Sequence, residues 1–485
     1  MKVKSFLFEN KGIKQTIFKN TFWLGIGTFF SKLLSLVLLI YVARILGAEE
    51  YGKFTFALAF AAVFTVIHDF GIPQIIVREF SRNKINKKEF SSVVSLNILL
   101  SLVVSFAILF TLLFTKLSPD IEKAVLILGA ANIITNFANI FISLFQAQGR
   151  MEARTWIEIL RAVLLVILGL AIIFNFPSAK NLSWAYLIAA AISLPLILIF
   201  FSYKFFKPKI KWESLVWKKF LIMSWPLALV GVSGIIYNYI DSIMMGFWGM
   251  ITETGFYNAA FRIINAAVLP SVLVSKSAYQ VLSKFSESKE LLQKTWDHQL
   301  ELMILLAFPM MAGGFVLAPR IIHAFYPDNF SPAVLALQIL ILSIFFIYIS
   351  RPFGDLIVVS NQQRKLLLIS TAGAIINIIL NFILIPRYSL YGAALATVIT
   401  TLITFLIYII TVKIFTSIHI FSFDCFIISI LSTVSALIMY LAVKQPFIYN
   451  LNIFISISLG TIIYFLVFLG VKFLLESLKI LNYGR

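Results

Sequence analysis

Three cationic side chains, Lys32, Arg161 and Arg262, lie within long apolar stretches of this 485-residue chain. A charge at the centre of a membrane helix costs about 2.5–3.5 kcal/mol on insertion scales, so it normally faces a partner or a water-filled cavity. Lys and Arg donors in such a low-dielectric place bind phosphate well. Lys32 and Arg262 have no obvious partner on their own helices, whereas Arg161 is either neutralised by Glu158, three residues before it, or assists in binding an anion.

A second group of intramembrane side chains can exchange a proton or hold a cation. His68, Asp69 and Asp241 are the candidates for coupling transport to H⁺ or Na⁺. Asp241 serves equally well as an ion-pair partner of Lys32. The spacing of these residues alone does not choose between these roles.

Three further charges are predicted near the cytoplasmic mouth of the bundle: Lys276, Arg351 and Asp355. Lys276 is long enough to reach the lipid headgroups from within its helix. Arg351 and Asp355 are four residues apart on one helix face, so they either line the mouth or neutralise each other.

Amide side chains recur at helical spacing beside these charges. One apolar stretch carries a stripe at steps of four and three, formed by Asn132, Asn136, Asn139, Ser143 and Gln146. A second stretch carries Asn258, Arg262 and Asn265 in the same way. Such stripes form hydrogen bonds between membrane helices, and they also suit a wet cavity that contacts sugar hydroxyls.

The composition requires a membrane protein. Hydrophobic residues make up 60% of the chain, charged residues 13%, and the mean hydropathy is +0.97, which excludes an ordinary soluble enzyme. The single cysteine, Cys425, and four scattered histidines offer no metal site. Without a phosphate-binding GxxxxGK[ST] motif, neither ATPase activity nor a cofactor is expected, and the chain is not predicted to be an enzyme.

Fourteen apolar stretches are long enough to cross a hydrocarbon core of about 30 Å. They cover residues 18–43, 54–77, 91–115, 123–146, 155–175, 183–203, 220–248, 255–280, 299–318, 333–360, 365–386, 391–412, 422–443 and 450–472. Counted by alternate sides of the membrane, 27 Lys and Arg fall on the side of the termini and 8 on the other. The positive-inside rule therefore predicts cytoplasmic termini in the cell membrane. It also explains the net charge of +19 without nucleic acid.

The chain repeats itself after about two hundred residues. Gly47 corresponds to Gly249, and the turn at Tyr51-Gly52 corresponds to Thr254-Gly255. The prediction is an all-α protein of 14 transmembrane helices, with two six-helix lobes as parallel repeats plus two C-terminal helices. Its parts are a basic amphipathic segment (1–17), the N-lobe (18–203), a cytoplasmic linker (204–219), the C-lobe (220–412), and spans 13 and 14 with a basic C-terminus (413–485).

Three segments together resemble a known family: LGAEEYGKFTFALAF (46–60), DFGIPQIIVREFS (69–81) and INIILNFILIPRYSLYGAALATVI (376–399). They look like the polysaccharide-flippase branch of the multidrug/oligosaccharidyl-lipid/polysaccharide exporter superfamily. The resemblance implies two lobes around a cavity, outward movement of lipid-linked oligosaccharides, and a lipid-tail groove beside spans 13 and 14. Lipid II flippases have a cavity arginine after a serine where this chain has Ser31-Lys32, but further arginines where it has Leu38 and His68-Asp69. Lipid II itself is therefore a less expected cargo.

The sequence thus predicts a flippase for a polyprenyl-phosphate- or diphosphate-linked oligosaccharide that works by alternating access. Membrane lipids and enzymes of glycan assembly, such as a polymerase or glycosyltransferases, are the expected partners, and the chain is expected to be a monomer. A cation-coupled multidrug exporter is the alternative in the same superfamily. A membrane glycosyltransferase or polymerase is the alternative from another class, although its acidic catalytic loop would have to fit among short outward connections.

Overall fold

The computed structural model describes residues 13–82, 85–416, 418–420 and 423–477, and within them the chain is helical, with no β-strand. The basic amphipathic segment predicted at 1–17 falls mostly outside these residues, as does the basic end after 477. The predicted all-α class is therefore correct for the described part of the chain. Its helices are long and apolar, as spans of a bilayer must be.

The chain forms two compact units, which divide at Gly255 and Phe256. The first contains α1 (Ile13–Val63), α2 (Thr65–Asp69), α3 (Ile72–Arg82), α4 (Lys87–Phe114), α5 (Pro119–Ala147), α6 (Met151–Asn175), α7 (Ala179–Lys204), α8 (Ser214–Phe247) and the start of α9 (Ile251–Ala267). The second contains the rest of α9, then α10 (Leu269–Lys284), α11 (Lys289–Phe325), a 3₁₀ turn (Asp328–Phe330), α12 (Pro332–Val359), α13 (Gln363–Phe415), α14 (Phe423–Lys444), α15 (Pro446–Tyr449) and α16 (Ile453–Ser477).

Twelve helical stretches in the described chain are long and apolar enough to cross a membrane. Two of them, with 65 and 53 residues, are long enough for two spans each. Helix α13 has 53 residues and would measure about 80 Å if straight, far more than a bilayer core. It turns at Ser389, where φ is 52° and ψ is −132°. Asn377 donates to Thr400 across this turn at 3.4 Å. Helix α1 turns in the same way at Gly47, so the structure is consistent with fourteen spans.

Both repeated glycines have a positive φ. Gly47 has φ 75° and Gly249 has φ 78°, values that L-residues with a side chain rarely adopt. Four residues of the first unit then pack symmetrically. A Cβ at Gly52 would stand 1.9 Å from the carbonyl oxygen of Ile251, and a Cβ at Gly255 would stand 2.2 Å from that of Ala48.

Predicted span 2 is interrupted within its length. Helix α2 ends at Asp69, Phe70 is left-handed with φ 44°, and Gly71 has φ 75° before α3 begins. The break lies just before Pro73, a residue type that interrupts the hydrogen bonding of a membrane helix. A Cβ at Gly71 would meet the Leu227 side chain of α8 at 2.6 Å. The interruption therefore lets α8 approach the backbone of the second span.

The segment between α7 and α8 and the start of α8 are hydrogen-bonded to α4. The backbone N–H of Lys211 donates to Ser95 Oγ at 2.9 Å, and the Trp217 indole N–H donates to the carbonyl of Ser92 at 2.8 Å. Lys219 Nζ lies 2.8 Å from a carboxylate oxygen of Glu89. These contacts tie α8 to the first compact unit. The lobe boundaries that the sequence repeat predicts, with the N-lobe ending at 203 and the C-lobe beginning at 220, stay a prediction.

Each unit has an aromatic core. In the first, Phe90, Phe141 and Phe201 are fully buried, with ring centroids of Phe90 and Phe201 5.4 Å apart. In the second, the rings of Trp296 and Phe353 meet edge to face at 5.3 Å. Aromatic side chains bury much apolar surface, so these clusters fix the helices that carry the polar residues.

Candidate substrate-binding site

Arg161 is held by an amide and not by a carboxylate. Its Nη1 donates to Asn139 Oδ1 on α5 at 3.3 Å. Glu158, which the sequence offered as a neutralising neighbour, lies instead 2.6 Å from Arg154 Nε. Among the described residues Arg161 forms no ion pair within 4.0 Å. An amide partner positions a guanidinium without cancelling its charge, and it leaves further donors for a ligand.

Lys32 lies at the same depth as Arg161 on a neighbouring helix. Helices α1 and α6 run parallel, because Gly27 packs against Thr155 and Gly169 packs against Leu38. Lys32 follows Gly27 by five residues on α1, and Arg161 follows Thr155 by six residues on α6. The two cations therefore differ by about 1.5 Å in height along the helix axes. Lys32 is exposed and points about 140° around α1 from the Gly27 contact. The structure therefore matches the two cations in depth but turns Lys32 away from α6.

The amide stripe on α5 has both half-buried and fully buried members. Asn136 and Asn139 are half-buried, and Asn139 is the residue that reaches Arg161. Further along the same stripe, Ser143 is buried and donates to its own helix at Ile140. Ser143, at one end of the stripe, therefore bonds within its own helix, whereas Asn136 and Asn139 are partly accessible near Arg161.

His68 occupies the interrupted part of span 2. Ser101 Oγ lies 2.7 Å from His68 Nε2 and donates its proton to the carbonyl of Asn97 at 2.8 Å. When the single hydroxyl proton of Ser101 goes to Asn97, Nε2 is the donor to Ser101 and Nδ1 keeps a lone pair. Nδ1 is buried and has no hydrogen-bond partner within the described chain. The side chain of Asp69 accepts from the backbone N–H of Gly71 at 3.1 Å, so this carboxylate stabilises the break.

The remaining predicted residues of α8 and α9 differ in accessibility. Asp241 is 2% exposed and Asn258 is buried, whereas Arg262 is half-buried and Asn265 is exposed. Asn258, Arg262 and Asn265 lie on one face of α9, as the spacing predicts. That Lys32 and Arg262 contact one substrate stays a prediction.

Asp355 is held by neutral donors in the second unit. One of its oxygens accepts from Ser275 Oγ at 2.6 Å and from Gln299 Nε2 at 2.7 Å. It forms no ion pair within 4.0 Å with Arg351 in the described structure, so its direct hydrogen-bond partners are neutral. Lys276 is exposed, which suits a side chain that reaches towards the headgroups.

Sequence reasoning missed Ser275 and Gln299 as partners of Asp355, and it missed Lys19. Lys19 is 1% exposed, and its ammonium group donates to Glu152 and to the carbonyl of Gly149, each at 3.2 Å. The signal was present in the sequence, since an isolated polar residue within an apolar helix requires a partner. The identity of that partner depends on residues more than a hundred positions away.

The side chains at these sites suit the binding of a polar ligand. The described residues contain no cluster of three or more His, Cys, Asp or Glu that could hold a metal ion. The first unit offers a guanidinium that donates to an amide and, among the described residues, forms no ion pair within 4.0 Å. The second offers a carboxylate with neutral donors. Such groups bind phosphate and hydroxyl groups through charge-assisted hydrogen bonds.

Comparison with known proteins gives a consistent result. The sequence pattern described as polysaccharide biosynthesis protein matches residues 17–286, more than half of the chain. The "probable low-salt glycan biosynthesis flippase Agl15" of Haloferax volcanii is 23% identical over 385 residues, which cover 78% of this chain and 79% of that protein.

Two solved structures share the fold. The lipid II flippase MurJ in an inward closed conformation superposes with a TM-score of 0.77 at 20% identity, covering 94% of this chain and 99% of that one. An inward-facing multidrug resistance MATE family transporter of the MOP superfamily gives a TM-score of 0.67 at 14% identity, covering 79% and 94%. The predicted fold class is confirmed.

Proposed function

This chain belongs to the polysaccharide biosynthesis protein family, and we propose that it is a flippase for a polyprenyl-(di)phosphate-linked oligosaccharide. It moves the headgroup from the cytoplasmic to the outer leaflet by alternating access, with both termini in the cytoplasm. The observation that carries the proposal is Arg161, a cation inside the bundle whose partner at 3.3 Å is the neutral amide of Asn139. The relative's name, a glycan biosynthesis flippase, supports the substrate class.

Different polar residues bind different parts of such a substrate. Arg161 attracts the phosphate from α6, Lys32 attracts it at a similar depth from a different face of α1, and Arg262 on α9 provides a third cation. Asn136 and Asn139 in the first half and Asn258 and Asn265 in the second donate to sugar hydroxyls, while the polyprenyl tail stays in lipid. His68, Asp69 and Asp241 are the candidates for ion coupling in the return step. Lys276, Arg351 and Asp355 form the cytoplasmic entrance.

The direction of transport follows from the charge of the headgroup. Moving one negative charge out of a negative cell interior releases about 2.3 kcal/mol for each 100 mV of membrane potential. ATP is not required for such a step. Membrane lipids and the enzymes that assemble or polymerise the glycan are the expected partners of a monomeric carrier.

A multidrug exporter for cationic compounds is less well supported. Such a site needs an accessible carboxylate without competing donors. Asp355 already accepts from Ser275 and Gln299, and the carboxylate of Asp69 accepts from Gly71. The cation Arg161 lies in the bundle without a carboxylate partner, which favours an anionic cargo.

The test is to cancel the charge of Arg161 without changing the shape of the site. Asn139→Asp places a carboxylate where Arg161 already donates, so the variant forms an ion pair within the first unit. We expect unchanged or higher thermal stability and a loss of at least tenfold in transport, measured with a fluorescent polyprenyl-diphosphate oligosaccharide in proteoliposomes. Asn175→Asp, an exposed position at the end of α6, is the matched control and should transport normally.

Two simpler variants extend the test. Lys32→Ala and Arg262→Ala should abolish transport while the protein remains in the membrane at its normal amount. Normal transport by Asn139→Asp, or by both alanine variants, would overturn the proposed anion site.

A further inference from the structure

A groove with both polar and apolar lining lies at the end of the second unit, where α11 ends and the connection from α14 to α16 begins. It consists of two adjoining pockets, of about 500 and 330 Å³, that share Tyr449. Arg320, His323 and Asn450 line the larger pocket, and Gln338, Tyr440 and Lys444 line the smaller. The positive-inside rule predicts that this end lies on the outer side of the membrane. None of these residues belongs to the site already described.

The charge of Arg320 is fixed in place and not cancelled. Its Nη1 donates to Ser456 Oγ at 2.9 Å, and its Nη2 donates to the carbonyl of Leu451. The guanidinium carbon lies 5.2 Å from the centre of the Tyr449 ring. Within the described chain Arg320 forms no ion pair within 4.0 Å. A half-buried cation with neutral partners attracts an anion.

The connection beside Arg320 is preorganised. Ser456 Oγ donates to the carbonyl of Ile448 at 2.7 Å, and the Asn452 side chain accepts from the N–H of Phe454 at 3.0 Å. Asn450 and Lys444 are exposed at the groove. A loop held by its own hydrogen bonds loses little entropy when a ligand binds.

We propose that this groove binds an acidic oligosaccharide, one that carries carboxylate groups on its sugars. Two tyrosine rings offer apolar faces for sugar rings, and Gln338 and Asn450 can bond hydroxyl groups. Arg320 and Lys444 supply positive charge for the carboxylates, with His323 close to Asp328 at 3.2 Å on the rim. The inference rests on the proposed function, because it makes the groove a place where the glycan part of an exported substrate is held after it reaches the outer side.

Binding of a soluble probe tests the groove separately from transport. The full chain in lipid nanodiscs is titrated by calorimetry with a tetrasaccharide of galacturonic acid and with neutral maltotetraose. We expect the acidic probe to bind at least tenfold more tightly, since hydrogen bonds to charged groups are the stronger ones. The double variant Lys444→Gln, Asn450→Ala leaves Arg320 and its contacts intact, and it should weaken the acidic probe by about tenfold.

The control is Lys116→Gln, which removes an exposed lysine on the same predicted side but in the first unit. It should bind the acidic probe as the unaltered chain does. Equal affinity for both probes, or unchanged affinity in the double variant, would overturn the inference. Transport of a lipid-linked oligosaccharide of neutral sugars should be unaffected by the double variant. If the unaltered chain bound the probe but transported no lipid-linked oligosaccharide, the proposed function would fail while the groove stood.

Discussion

Replacing Gly52 by alanine would force the new methyl group into the backbone of a neighbouring helix. Its Cβ would stand 1.9 Å from the carbonyl oxygen of Ile251, and Gly255→Ala would bring a Cβ to 2.2 Å from that of Ala48. Real Cβ atoms essentially never approach within 3.0 Å, so the segments must separate by roughly 1 Å. Overpacking of this kind costs about 1–3 kcal/mol. Because both substitutions strain one contact, the double variant should cost less than their sum.

The measurement is thermal unfolding of the purified protein in detergent. A loss of that size lowers the melting temperature by roughly 2–12 °C in a unit of this length. Gly25→Ala and Gly234→Ala are the controls, because no atom lies within 4 Å of the new Cβ at either position. Gly249→Ala also meets no atom, but φ there is 78°, so it isolates a backbone strain of about 1–2 kcal/mol. Equal melting temperatures for Gly52→Ala and Gly234→Ala would refute the packing argument.

Two further predictions concern the contacts that join helices and connections within the first unit. Glu152→Gln leaves the buried ammonium group of Lys19 without its counter-charge, so it should destabilise the fold by up to about 3–5 kcal/mol, measured by thermal unfolding. Lys19→Met leaves no buried charge and should destabilise the fold less; the reverse order would contradict this reasoning. Ser95→Ala removes the acceptor of the Lys211 amide and should speed trypsin cleavage after Lys211, whereas Ser105→Ala, whose hydroxyl bonds its own helix, should leave the cleavage rate unchanged.

The spans and the repeated turns were accessible from the sequence for simple reasons. Apolar length is set by bilayer thickness, and a positive φ restricts a turn to residues such as Gly47 and Gly249. The interruption at Phe70 was accessible only through Pro73 nearby. A phenylalanine in the left-handed region gives no sequence signal, because contacts of the folded unit impose it.

Charge pairing was the least predictable feature. Spacing on a helix offered Glu158 to Arg161, yet Arg154 is four residues from Glu158 and forms the ion pair at 2.6 Å. Because both i,i+3 and i,i+4 pairs can form on a helix, sequence spacing does not choose between Arg154 and Arg161 as the partner of Glu158. For Asp355 the partners Ser275 and Gln299 come from two other helices, so no local rule could select them over Arg351.

The pattern of partners itself argues for an anion carrier. Ion pairs at Lys19 and Lys219 join separate helices, and Lys53 pairs with Glu50 one turn earlier on α1. Arg161, deeper in its helix, has a neutral partner instead. An aspartate in place of Asn139 would give the guanidinium a counter-charge at the same position, and we expect the fold to be at least as stable, so stability alone does not explain the amide. A residue that holds a cation in position while leaving its charge uncancelled is explained by a ligand that brings the opposite charge, as a lipid-linked phosphate does.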